Sequence, residues 1–386
     1  MTMARQGVPA RVVVALDKFK GSLRSDQAVD AVADGILHSA PTASVVRTPI
    51  ADGGDGTVDA VVRSGFARRA VAVTGAMGQP TTALLAHHGK QAVVEVASAS
   101  GPLPRSSADR DPLGAHTLGV GEAVRAALDL GVEEIVLGLG GSLSTDGGTG
   151  MIRALGGRFL DTRGEQIPLG GAGLLRLDRV DLSGLDPRIR TTRFVLAADV
   201  DNPLLGPSGC ARIFAPQKGA DEAAVEVLEA GLRRLAAVTA GDTGARVEQA
   251  AGAGAAGGVG FAGLAYLRAR MASGARIVLD MVNLRSTLAG ADLLITGEGR
   301  LDAQSLHGKA PVAAAALARE LDIPVVAVVG TSSLDPTRAT DAGFAAVYEL
   351  TGMEPNPERC MDDAERLLSD VGRTLVADGW VRARHP

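Results

Sequence analysis

The sequence predicts an α/β protein: a parallel Rossmann-like sheet domain built from both chain ends, with a mixed α/β domain inserted between them. Three observations predict it. Short β-branched runs alternate with helix-length amphipathic stretches at both ends, which is the mark of parallel strands joined by crossovers. The region after Arg68 instead shows short apolar runs separated by tight turn signals. Finally, acidic and glycine-rich segments follow strand after strand, at the carboxyl ends where open α/β sheets place ligands.

With 386 residues the chain exceeds a single ordinary core, so two domains are expected. The boundaries implied by the change of rhythm are 1–67 plus 290–386 for the outer domain and 68–289 for the insert, with the site in the cleft between them. A simple division near residue 190 is the competing layout. Aromatic residues make up only 3%, so the cores must be built from Ala, Val, Leu and Ile. A formal charge of -5 without any basic run speaks against a nucleic-acid partner. The N-terminus has only a short apolar segment before Asp17 and Lys18, neither signal peptide nor membrane span. Cys210 and Cys360 read as buried thiols rather than a disulfide or a metal pair, and together these features predict a cytoplasmic protein.

In chain order, Arg11-Val-Val-Val-Ala-Leu-Asp17 is a first strand. Ser25 to His38 places Ala28, Val32 and Ile36 on one helical face. Ser44 to Ile50 is a second strand, followed by Ala51-Asp-Gly-Gly-Asp-Gly56 and a helix carrying Val58, Val61 and Val62. The runs 70–74, 82–86 and 91–96 are antiparallel strands. Helical spacing returns over 119–130, then a strand at 135–138, a loop, and a helix at 151–155. Residues 168–187 are loop-rich. A strand over 192–200 and a long helix over 221–239 follow, then an Ala/Gly stretch and a helix over 261–271. The parallel rhythm resumes with strands at 293–296, 324–330 and 345–348, and helices at 310–321 and 358–378.

The richest loop is Gly138-Leu-Gly-Gly-Ser-Leu-Ser-Thr-Asp-Gly-Gly-Thr-Gly150. Its six glycines let a backbone approach a ligand, and a strand-to-helix turn offers amides to an anion. Lys18-Phe-Lys-Gly-Ser22 sets Lys20 beside a glycine and a hydroxyl, a point charge for phosphate or a small carboxylate, or else a solvated lysine. Asp52 and Asp55, on a glycine loop, can hold Mg²⁺ through water, accept hydroxyls, or cap the next helix. Asp199 and Asp201 close a strand, where a carboxylate can take a proton from an attacking hydroxyl or coordinate metal; the alternative is an Asx-turn before Pro203. Gly297-Glu-Gly-Arg-Leu-Asp302, with Lys309 beyond it, concentrates charge at another strand end.

A second function class also has a foothold. Gly252-Ala-Gly-Ala-Ala-Gly257 matches the dinucleotide fingerprint, with Asp280 at an apparent strand end, as an NAD-dependent oxidoreductase would need. The preceding Val247-Glu-Gln-Ala-Ala is a poor strand, which favours close packing of a small-residue helix. A Walker-type GxxxxGK[ST], HExxH and CxxC pairs are absent. Phosphoryl transfer by positioning and charge neutralisation has the most support.

Taken as an ordered set, Asp17-Lys-Phe-Lys-Gly-Ser22, Pro49-Ile-Ala-Asp-Gly-Gly-Asp-Gly-Thr57, Gly138-Leu-Gly-Gly-Ser142 with Asp146-Gly-Gly, Ala198-Asp-Val-Asp-Asn-Pro203, Ala215-Pro-Gln-Lys-Gly219, Gly252-Ala-Gly-Ala-Ala-Gly-Gly258 and Ile295-Thr-Gly-Glu-Gly-Arg-Leu-Asp302 resembles the bacterial glycerate kinase family over about residues 11 to 380. The resemblance implies two α/β domains and phosphorylation of D-glycerate by ATP with Mg²⁺, at the 2-hydroxyl, with 3-phosphorylation as the alternative. It reassigns the GxGxxG as a family motif that implies no dinucleotide. On this footing Gly140, Gly141, Ser142, Ser144, Thr145, Asp146 and Gly147 are expected around the ATP phosphates. Lys20, with Arg300, would hold the glycerate carboxylate or the transferred phosphoryl. Asp199 would take the hydroxyl proton or, with Asp201, hold Mg²⁺, while Ser22, Asp52, Asp55 and Asp302 meet substrate hydroxyls or metal-bound waters. D-glycerate and ATP are the expected partners, and a homodimer stays open. Two departures stand out: Lys18 where relatives usually carry Ser, and Ser142-Leu-Ser-Thr-Asp146 where Ala-Thr-Asn commonly precedes the Asp.

Overall fold

A computed structural model of the chain describes residues 9–101 and 111–382. The first eight residues, on which the expectation about a leader falls, lie outside the described residues. Two compact units emerge. One comprises 1–52, 59–64 and 275–386; the other comprises 53–58 and 65–274.

The first unit holds a five-stranded sheet, all parallel. Its strands are β1 (Arg11–Leu16), β2 (Ser44–Arg47), β11 (Leu293–Gly297), β13 (Val325–Val329) and β15 (Ala346–Glu349). Their spatial order is β15-β13-β11-β1-β2, with Val14 beside Ile295 and Ile295 beside Val326. Central strands read as unbroken apolar runs because both faces are covered. All five residues of Leu293–Gly297 and of Val325–Val329 are buried. The helices Ser25–Ser39 and Ala364–Ala377 pack together over one face, contributing Val29, Val32, Ile36, Leu367, Leu368 and Val371 to the core.

The second unit is a six-stranded mixed sheet. Its strands are β3 (Ala67–Thr74), β4 (Pro80–His88), β5 (Gln91–Glu95), β6 (Glu134–Gly138), β9 (Arg193–Ala197) and β10 (Arg270–Ala272), in the order β10-β9-β6-β5-β4-β3. The β3–β4 and β4–β5 pairs are antiparallel, and the β5–β6, β6–β9 and β9–β10 pairs are parallel. Its core includes Val94, Ile135, Leu137, Phe159, Leu196, Leu228, Leu232 and Phe261. The 22-residue helix Glu222–Thr243 is started by Asp221, whose side chain accepts from the Ala224 N–H.

Several local expectations need correcting. Residues 275–289 belong to the first unit, where the Arg11 guanidinium donates to the Thr287 carbonyl and Asp292 accepts the Arg11 N–H. Residues 270–272 are a strand, not the end of a helix. Asp280 lies within the helix Gly274–Met281 and ends no strand. The stretch 358–378 is two helices, Pro357–Asp362 and Ala364–Ala377, because Asp363 leaves helical geometry between them.

Candidate active site

In the first unit, the carboxyl ends of β1, β2 and β11 gather the charged loops. Asp17 follows β1 and is buried, accepting the Lys18 amide at 2.6 Å. Lys18 Nζ stands 4.0 Å from Asp17 and 3.8 Å from Asp52. The lysine at position 18 therefore adds a cation between two carboxylates. Burial pushes the Asp17 carboxyl up to about 7, opposed by Lys18 and reinforced by the negative charges of Asp52 and Glu298.

Lys20 is exposed on the turn that follows, free to swing towards an anion. That turn is braced: Phe19 accepts the amides of Ser22 and Leu23, and Ser22 Oγ donates to the Met361 carbonyl at 2.5 Å. Ser22 thus has a structural employment that its hydroxyl does not share easily with a ligand. After β11, Arg300 is exposed and lies 3.6 Å from Asp302. Asp302 Oδ1 accepts the amides of Gln304 and Ser305, an Asx-turn, which leaves Oδ2 on the Arg300 side. Glu298 is buried 3.7 Å from Lys309, and burial raises its pKa, countered by Ser305 and Lys309. Sequence reasoning left Glu298 out of the site because nothing in the residue pattern signals burial.

In the second unit the Gly138–Gly150 loop divides in two. Gly140, Gly141 and Ser142 reach the surface, whereas residues 143–150 are buried. Gly140 lies so close to the 53–55 segment that a Cβ there would meet Gly54 Cα at 2.6 Å. Much of the glycine content is therefore spent on backbone packing. The Asp146 carboxylate is wholly buried and fully engaged. Oδ2 accepts from Thr117 N, Thr117 Oγ1 and Gly150 N, and Oδ1 accepts from Gly148 N. Its negative charge sits at the start of two helices, Leu118–Leu128 and Thr149–Ala154, where the dipoles favour it. Ser144 Oγ pairs with Ser142 and Ser100, and the buried Lys218 ammonium donates to the Ser144 carbonyl at 2.6 Å. Burial lowers the Lys218 pKa. Gly147 N–H donates to the Gly257 carbonyl. Ser144, Thr145, Asp146 and Gly147 are thus inside the fold, while Gly140, Gly141 and Ser142 keep open amides: none of the three donates a backbone hydrogen bond among the described residues.

The GxGxxG segment explains itself in the same region. A Cβ on Gly257 would stand 1.9 Å from the Ser144 carbonyl oxygen, and Gly257 has φ of +70°. Its glycines make room for the loop, and the element directly before the segment is the helix Glu222–Thr243, not the strand that a dinucleotide fingerprint follows.

Asp199, after β9, accepts from Ser273 Oγ at 2.9 Å and from the Gly274 amide at 3.0 Å through Oδ1, so its carboxylate is aimed and held. Asp201 is exposed two residues further on. Asp55 lies next to the open turn, its Cβ 3.8 Å from where a side chain on Gly141 would begin. Among the described residues no three His, Cys, Asp or Glu side chains form a metal cage. No helix among them is long and apolar enough to cross a membrane.

Parallel strands that end in cationic and acidic loops, together with a glycine turn offering open amides, define an α/β enzyme of the kind that transfers charged groups. Residues 12–378 match the glycerate kinase family. The chain is 39% identical to a glycerate kinase of Bacillus subtilis (strain 168), over 95% of this chain and 97% of that one. It is 40% identical to a glycerate 2-kinase of Escherichia coli (strain K12), over 88% and 90%. A crystal structure of a putative glycerate kinase 2 from Salmonella typhimurium LT2 superposes with a TM-score of 0.80 at 39% identity, over 96% of this chain and 99% of that one. The chain belongs to the glycerate kinase family and is a phosphotransferase. That membership overturns the oxidoreductase alternative.

Proposed function

We propose that the enzyme phosphorylates D-glycerate with ATP, at the 2-hydroxyl, giving 2-phosphoglycerate and ADP. The reading is carried by one observation: strand-end loops supply anion-binding groups in each unit. Lys20 and Arg300 suit the carboxylate of a small acid or the transferred phosphoryl, and the open amides of Gly140, Gly141 and Ser142 suit a phosphate. The name of the Escherichia coli relative supports the 2-position. Ser144, Thr145, Asp146 and Gly147 then act as the turn's foundation, and Ser22 as a brace.

In the transfer step, Asp199 accepts the proton of the attacking hydroxyl. The new bond forms between that oxygen and the γ-phosphorus as the bond to the bridging oxygen breaks, and ADP leaves with the electron pair. Held by Ser273 and Gly274, Asp199 is pre-aligned for this role. Mg²⁺ in kinases is bound by one or two carboxylates and the phosphates themselves, so it does not need a full protein cage. Asp199 and Asp201 offer the hard oxygen donors such an ion takes, and the ion, when bound, neutralises phosphate charge. Asp52, Asp55 and Asp302 are assigned to substrate hydroxyls or metal-bound waters. We infer a cytoplasmic enzyme from its two buried free thiols.

ADP release measured with D-glycerate, against L-glycerate and other 2-hydroxy acids, tests the reading. Turnover should require D-glycerate and ATP and vanish with EDTA, and phosphorus NMR should place the phosphate on C2. Silence with active controls would remove the proposal. Lys20→Ala is expected to lower kcat/KM about 100-fold or more, since it removes a charge that meets developing charge. Unchanged turnover and affinity would exclude Lys20. Asp199→Asn is expected to lower kcat by ~10²–10⁴; near-normal turnover would exclude it as the base.

A further inference from the structure

Among the described residues, Glu298 is a buried carboxylate of the first unit's strand-end loops with an oxygen left over. It follows β11, the middle strand of the parallel sheet, and is 7% exposed. Oε2 faces Lys309 at 3.7 Å. Oε1 is buried with no hydrogen-bond partner. The Ser305 hydroxyl lies near the carboxylate and steadies its charged form, but it also accepts the Asp302 amide and approaches the Arg300 carbonyl at 3.4 Å. A buried polar atom left unsatisfied in a native fold calls for a partner, and a strand end in an open α/β sheet is where a ligand supplies one.

The surroundings define that partner's chemistry. Asp17, Asp52 and Asp302 add negative charge close to Glu298, with Lys309 as the neighbouring cation. Such a place disfavours a carboxylate or phosphate group against Oε1 and receives a neutral hydrogen-bond donor. Glycerate carries two hydroxyls, only one of which is consumed. We propose that Glu298 is a substrate-binding residue whose Oε1 accepts the hydrogen bond of the hydroxyl that is not phosphorylated, so that the enzyme selects dihydroxy over monohydroxy acids. The pair with Lys309 holds the carboxylate in place for this reading.

The inference rests on 2-phosphorylation of glycerate, so D-lactate, which keeps the 2-hydroxyl and lacks the 3-hydroxyl, is the discriminating analogue. A site built to bond a hydroxyl rejects the analogue lacking it, here by about 100-fold or more in kcat/KM. Glu298→Ala and Glu298→Gln should lower kcat/KM for D-glycerate while changing that for D-lactate by less than about threefold, so the preference collapses. A parallel fall for both acids means a structural role and overturns the inference, as does an undiminished preference. If neither variant folds, the wild type still decides: equal use of D-glycerate and D-lactate sinks the proposal. A wild type inactive on every acid instead removes the kinase reading itself.

Discussion

Asp146→Ala is expected to destabilise the ligand-free protein by about 4 kcal/mol or more, and only secondarily to affect ATP. Three backbone amides and the Thr117 hydroxyl lose their acceptor in the interior. Each buried donor left unsatisfied costs roughly 1–3 kcal/mol. Thr117 Oγ1 also accepts the Met151 amide, so the damage reaches the start of both helices. Asp146→Asn keeps the shape but turns an NH₂ towards donors, and should rescue only part of the loss. Urea midpoints without nucleotide read the effect directly. A normal midpoint, with the defect confined to the KM for ATP, would return Asp146 to the phosphate site.

Asp17→Asn should change how stability depends on pH. The folded carboxyl titrates near 7 against an ordinary 3.8, chiefly because it is buried. A raised folded pKa means that its protonated form is favoured in the folded state. Its contribution is intact below about pH 4 and is lost as pH rises to about 7. At ~1.4 kcal/mol per pH unit, the full loss is at most ~4 kcal/mol. The uncharged Asn variant should therefore gain on the wild type progressively between pH 4 and 7 and hold a constant lead above that. Comparing the two proteins cancels titrations they share. A gap that stays flat from pH 4 to 8 would mean that Asp17 is ionised in the fold throughout.

The parallel sheet was legible because residues 12–16, 293–295 and 325–329 are apolar without interruption, as doubly covered strands tend to be. The hairpins at 67–95 were legible from their turn residues. What escaped were elements whose pattern serves neighbours. Arg270–Ala272 is too short to show a period, and Gly274–Met281 begins with a glycine that a helix prediction discounts. The same limit applies to the site. Position after a strand could nominate Lys20, Asp199 and Arg300, but the same rule nominated Asp146, which the fold turns inward.

By itself the sequence determined the family, the two kinds of sheet and the loops that carry chemistry, because periodicity and turn residues are local properties. Only the tertiary structure decided what each loop residue does. Gly140, Gly141 and Ser142 remain at the surface, whereas Ser144 to Gly147 are sealed beneath them by Lys218 and the Gly257 turn. Glu298 holds a spare buried oxygen, while Asp302 spends Oδ1 on a turn and keeps Oδ2 beside Arg300. Burial and hydrogen-bond satisfaction depend on partners distant in the chain, and those two quantities separate a group that can meet a ligand from one that holds the fold.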